Sequence, residues 1–136
     1  MKPNEVTVGD LVNIMNPITK EIHAGKITYE DLYYMQSEVN QQYYTPIELT
    51  DEIWDANGFT TVYESYKILQ LDNNKFFQYY KYDGSLRLYW KGKDEWENHS
   101  EVIDLLFKCN VTYVHELQHA FTMCGIDKEI GLDTGF

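Results

Sequence analysis

The sequence predicts an α+β fold, an antiparallel sheet with two or three helices in a single small domain. Three observations carry this. Five short runs rich in aromatic and β-branched residues follow one another between Thr60 and Lys108. An Asp83-Gly84 pair, a hairpin-turn dipeptide, separates two of them. Two other segments, LTDEIWDANG and VHELQHAFTMCG, carry helix caps or helical spacing and end in glycine. At 136 residues the chain suits one domain, with a strand-rich N-terminal part (1–48) and a part holding a helix, hairpins and a C-terminal helix (49–136).

In order, EVTVGDLVNIM reads as a strand with an irregularity at Gly9-Asp10, and NPITKE as the turn after it. AGKITYEDLYYMQSEV has two readings. Thr28 and Asp31 have capping-box spacing, with Leu32, Met35 and Val39 on one helical stripe, whereas KITY alone can extend as a strand. The helix is favoured. Thr50 is an N-cap for a helix from Asp51 to Ala56. Asp51, Glu52 and Asp55 cluster at its start, where the helix dipole stabilises acids, and Asn57-Gly58 ends it. Strands follow as TTVYES, YKILQLD, KFFQYYKY and SLRLYWKG. KDEWENHS is a polar loop, EVIDLLFK a strand, and the last helix runs from about Thr112 to Cys124, stopped by Gly125.

Charge narrows the partners. Twenty-two acids against 11 bases give a net charge of −11, which repels a phosphate backbone. Direct nucleic-acid binding is therefore not expected. The same charge serves solubility, or a nucleic-acid mimic that blocks a basic protein. Cys109 and Cys124 form no C-x-x-C, which suits a reduced cytoplasmic protein. Nothing reads as a secretory leader or a membrane span, so no membrane partner is expected.

The segment YVHELQHAF contains H-E-x-x-H. Two histidines four apart on a helix can share one Zn²⁺, so His115 and His119 are the candidate ligands, with Glu116 as general base. Against this, no third ligand is specified. The extended motif requires Gly and His where Thr122 and Gly125 stand, and only seventeen residues follow His119. Upstream, His23 and His99 are unmotivated; downstream, Asp127, Glu129 and Asp133 lie on a short tail. At about 100° per residue, Val114, Leu117, Phe121 and Cys124 form an apolar stripe. His115, Gln118, His119 and Thr122 then fall on the wet side. That assignment, a core-packed helix without metal or other cofactor, is the expectation.

The second candidate site is the hairpin FFQYYKYDGSLRLYWKGK. With Asp83-Gly84 as a two-residue type I′ turn, Tyr82 pairs with Ser85, Tyr80 with Arg87 and Gln78 with Tyr89. Alternation puts Phe77, Tyr79, Lys81, Leu86, Leu88 and Trp90 on one face. Gln78, Tyr80, Tyr82, Arg87, Tyr89 and Lys91 occupy the other. Arg87 is the only arginine of the chain. A guanidinium among tyrosines can pair with a phosphate while the rings stack on a base. Tyr and Arg are equally ordinary cross-strand partners on a solvated face.

VTVGDLVNI, YTPIELTDEIWDANGF and YVHELQHAFTMCGIDKEI together resemble a family of short uncharacterised proteins from Bacteroides-type gut bacteria, their phages and mobile elements. The resemblance frames the chain, with a poorly matching interior from about Tyr63 to Cys109. It implies that Val114, Leu117 and Phe121 are shared core positions and that zinc chemistry is not the family's business. It also implies an accessory protein in the bacterial host cytoplasm that counteracts host defence without being an enzyme. The expected partners are then a small nucleotide-like signal or a basic host effector, with homo-oligomerisation open as well. A minimal zinc hydrolase is the enzymatic alternative.

Overall fold

A computed structural model describes residues 1–93 and 101–132. The α+β class with antiparallel sheets holds, and the strands divide into two sheets. The polar loop expected at KDEWENHS lies, from Asp94 onward, outside the described residues. The chain groups into two compact units: Met1–Leu49 with Thr112–Glu129, and Thr50–Val111 with the chain from Ile130. The C-terminal helix thus belongs with the N-terminal stretch.

In the first unit, β1 (Leu11–Met15) lies between β2 (Ile22–Lys26) and β3 (Tyr44–Thr45). The first strand begins later than its sequence suggests. Residues Thr7 to Asp10 form a turn, because Gly9 takes φ +95° and the Asp10 carboxylate accepts from the Thr7 amide at 2.8 Å. The helical reading of the next segment is realised in α1 (Tyr29–Tyr34). The amide of Asp31 donates to Thr28 Oγ1, and the Thr28 amide donates back to the Asp31 carboxylate. KITY is not a strand. β2 ends at its first residue, Lys26, and Ile27 is buried in a core with Val6, Val12, Met35 and Tyr44. The helix breaks after Tyr34 and resumes as α2 (Glu38–Gln41), which leaves Val39 exposed rather than on the buried stripe. α4 (Val114–Met123) packs on β1, with Val114, Leu117, Ala120 and Phe121 buried.

In the second unit, α3 (Asp51–Ala56) is capped by Thr50, which accepts from the Ile53 amide, and stops at Asn57 and Gly58 (φ +88°). The antiparallel order β4 (Thr60–Val62), β5 (Tyr66–Gln70), β6 (Lys75–Tyr80), β7 (Ser85–Lys93), β8 (Glu101–Asn110) is a simple meander. α3 lies on one face of this sheet. Trp54 stacks on Tyr79 at 4.3 Å, and Phe77 and Leu86 are fully buried there. Lys67, 1% exposed, shares that face; its ammonium reaches Asp51 (3.4 Å), Asp55 (3.6 Å) and Thr61 Oγ1 (2.7 Å). The acidic start of α3 therefore has a second cause beyond the helix dipole: it neutralises a buried lysine. Gly92 lies under the Trp90 indole, where any β-carbon would collide with the ring.

The hairpin register differs from expectation. Tyr80 pairs with Ser85, Gln78 with Arg87 and Phe76 with Tyr89. The connection is a four-residue loop, Lys81–Gly84, closed by the Gly84 amide donating to the Tyr80 carbonyl at 2.9 Å. A type I′ turn needs positive φ at both central residues, and here only Gly84 (φ +70°) has it. The slip is two residues. Side chains alternate with period two, so the strand residues keep their expected faces, while Lys81 and Tyr82 move into the loop.

Candidate functional site

On the second face of the five-stranded sheet, the corrected register sets Arg87 between Gln78 on β6 and Lys108 on β8. The guanidinium carbon sits 4.2 Å from the Tyr80 ring centroid, and Nη1 donates to the Tyr89 hydroxyl at 3.4 Å. Tyr80 and Tyr89 hydroxyls are 3.2 Å apart. Burial and that hydrogen bond push the Tyr80 hydroxyl up to about 12. Burial works to raise Tyr89 too, but hydrogen bonds from Tyr80 and Arg87, with the charges of Arg87 and Lys108, bring it below the ordinary tyrosine value. Tyr82 is exposed on the loop, its ring nearly perpendicular to that of Tyr80 at 5.9 Å, and Lys91 pairs with Glu101 at 2.7 Å. Arg87 also meets Asp83 at 3.5 Å. So Tyr80, Tyr89 and Arg87 form one cluster, Tyr82 and Gln78 flank it, and Lys91 is engaged beside it.

A feature missed in the sequence enlarges this face. β8 carries a bulge: Leu88 pairs with Phe107 and Tyr89 with Leu105, so Leu106 is an extra residue. The bulge resets the alternation. Leu105, opposite Tyr89, and Ile103, opposite Lys91, therefore join Lys108 on the arginine face, and both are about half exposed. No signal in EVIDLLFK marks the bulge.

In the first unit, α4 presents the H-E-x-x-H residues differently from one another. Glu116 Oε1 accepts from the amides of Thr112 (2.8 Å) and Tyr113 (3.0 Å), capping its own helix. Oε1 is thereby engaged at the helix end. His115 is 6% exposed, which corrects its placement on the wet side of α4. It stacks on Tyr113, and its Nδ1 is buried without a hydrogen-bond partner. Burial, ahead of nearby charges, holds its pKa below the usual histidine value, so it is neutral near pH 7. The stripe assignment fails here because a helical wheel gives direction only; the segment preceding α4 supplies the Tyr113 ring that covers His115.

His119 is half-buried, and its Nε2 lies 2.7 Å from Asp10 Oδ2. Its neighbour Gln118 clamps the same turn, accepting from the Leu11 amide at 2.8 Å and donating to the Gly9 carbonyl at 3.2 Å. The His115 and His119 rings stand edge to face at 5.7 Å. Among the described residues, no group of three or more His, Cys, Asp or Glu side chains is arranged to hold a metal ion. His23 lies exposed on β2, and His99 and Asp133 fall outside the described residues. The sequence marks Gly9-Asp10 as an irregularity but gives no sign that Asp10 meets His119.

Comparison with family models, curated proteins and solved structures found no match. Among the described residues, no helix is long and apolar enough to cross a membrane. The two side-chain clusters are therefore the basis for a functional reading.

Proposed function

We propose that this protein acts by binding rather than by catalysis, and that the Tyr80–Arg87–Tyr89 face takes a small nucleotide-like ligand. The observation that carries the reading is the stacking of Arg87 on Tyr80, with Lys108 beside it in register. Two cations and several aromatic rings thus gather on one face of a chain with a net charge of −11. The guanidinium offers a fork to a phosphate, Lys108 adds a second positive charge, and Tyr82, Leu105 and Ile103 offer apolar surface to a base. A compact anion suits this patch. A long polyanion meets the surrounding acids. Against an enzymatic reading, Glu116 is committed to its helix end. The family resemblance supports a phage or mobile-element setting, in which sequestering a host nucleotide signal counteracts defence.

Calorimetry with cyclic dinucleotides and cyclic ADP-ribose tests the reading. Binding weakened at least tenfold by Arg87→Ala, and partly restored in Arg87→Lys, is expected. Absence of heat with millimolar ligand, or equal binding by Arg87→Ala, overturns it.

A further inference from the structure

A cleft of about 490 Å³ opens in the first unit, lined by Thr7, Val8, Gly9, Asp10, Gln118, His119, Thr122 and Met123. That volume lies within the usual range for small-molecule sites, roughly 300–1,000 Å³. Val8 and Met123 are 43% and 65% exposed, so its apolar walls lack protein cover. Asp10, at its base, is only 3% exposed. It accepts from the Thr7 amide (2.8 Å), Thr7 Oγ1 (3.2 Å) and His119 Nε2 (2.7 Å). We infer that this cleft is a binding site for a small, neutral, mostly apolar molecule carrying one hydroxyl group, with His119 as the acceptor of that hydroxyl.

The chemistry follows from the Asp10–His119 pair. In the neutral imidazole whose Nε2–H donates to Asp10, the lone pair lies on Nδ1. No hydrogen bond to Nδ1 forms among the described residues. The ring borders both the cleft and a second cavity of about 290 Å³, so a ligand in the cleft lies against the imidazole. Charge disfavours an acidic ligand: Asp10 lines the cleft with no Lys or Arg beside it, and in the smaller cavity Glu5 and Glu116 outnumber the Met1 ammonium. An ammonium ligand is poorly served as well, because the Asp10 oxygens are already occupied. A hydroxyl needs one acceptor, which Nδ1 of the neutral ring supplies. Gln118 and Thr7 hold the Asp10 turn in place, so the acceptor is preorganised.

This site shares no residue with the arginine face and stands or falls separately. Methyl-methionine NMR is a suited readout, because Met123 lines the cleft, Met1 lines the smaller cavity and Met35 is buried. Titration with 4-propylphenol is expected to shift the Met123 methyl signal and leave Met35 unmoved. Its hydroxyl-blocked counterpart, 4-propylanisole, should bind at least tenfold more weakly. In His119→Phe the two probes should bind equally. Since that variant also strips a partner from buried Asp10, Met123→Glu serves as the second test; it alters an exposed wall and should abolish binding of both probes. Equal affinity of wild type for phenol and anisole overturns the inference. So do a shift confined to Met1, silence at millimolar phenol, or unchanged binding by Met123→Glu.

Discussion

Asp10 and His119 stand 109 positions apart in the chain and meet at 2.7 Å, carboxylate to imidazole, with the carboxylate buried. Three donors share the acid, two from Thr7 and one from His119. Removing the acid frees donors that water can reach on the Thr7 side. Removing the imidazole leaves a buried carboxylate short of a partner. His119→Ala should therefore cost about 2–3 kcal/mol, and His119→Gln, whose amide can still donate, about 1 kcal/mol or less. Urea unfolding measures both. Equal losses would mean that packing, not the hydrogen bond, holds the pair.

The buried His115 makes stability depend on pH. Its folded pKa lies below the ordinary histidine value of 6.5, chiefly through burial. Below that value the unfolded chain binds a proton that the folded chain resists, so stability falls as pH drops from 6.5 toward the folded pKa. Above 6.5 the contribution is complete. His115→Phe keeps a ring against Tyr113 and should flatten the melting-temperature profile between pH 7 and 5. A variant profile as steep as the wild type's would assign the slope to other groups.

Glu116 is expected to matter for the helix, not for a metal. Glu116→Ala should lower stability by about 1 kcal/mol, the usual worth of a lost N-terminal cap, and Glu116→Gln by less. Zinc titration of untagged protein should give the same response for wild type and Glu116→Ala.

Lys67 and its acids should respond unequally. The lysine is buried, whereas the side chains of Asp51 and Asp55 are 64% and 63% exposed. Lys67→Met leaves two carboxylates in water and should cost about 1 kcal/mol or less. Asp51→Asn with Asp55→Asn strands the buried ammonium and should cost about 3 kcal/mol. Hydrogen bonding by Lys81, then the charge of Lys67, also holds the Asp51 carboxyl below its usual range. The stabilisation is thus present above the ordinary carboxyl pKa and fades as pH falls through the lowered one. Chemical denaturation at pH 7 and pH 3 reads both effects.

Much of the fold was legible because its signals are short. Thr50, Asp51 and Asn57-Gly58 delimit α3 within a few residues, and Thr28 with Asp31 starts α1 by the same local hydrogen bonding. Membership of the arginine face was also legible, since alternation survives a two-residue slip. Partners across the strands were not. The register depends on the φ of Asp83, which a dipeptide preference does not dictate, and the β8 bulge leaves no compositional mark. As for α4, its inner stripe followed from spacing, but the burial of His115 required a neighbour outside the helix.

The α+β class, the starts of α1 and α3 and the two sides of β6 and β7 came from neighbouring residues alone, because caps, turns and alternation are steric rules acting over one to four positions. The pairing of Asp10 with His119, the cover over His115 and the neighbours of Arg87 came from the folded chain. Such contacts join residues distant in sequence, and their geometry follows from the path of the backbone between them, which no local preference specifies.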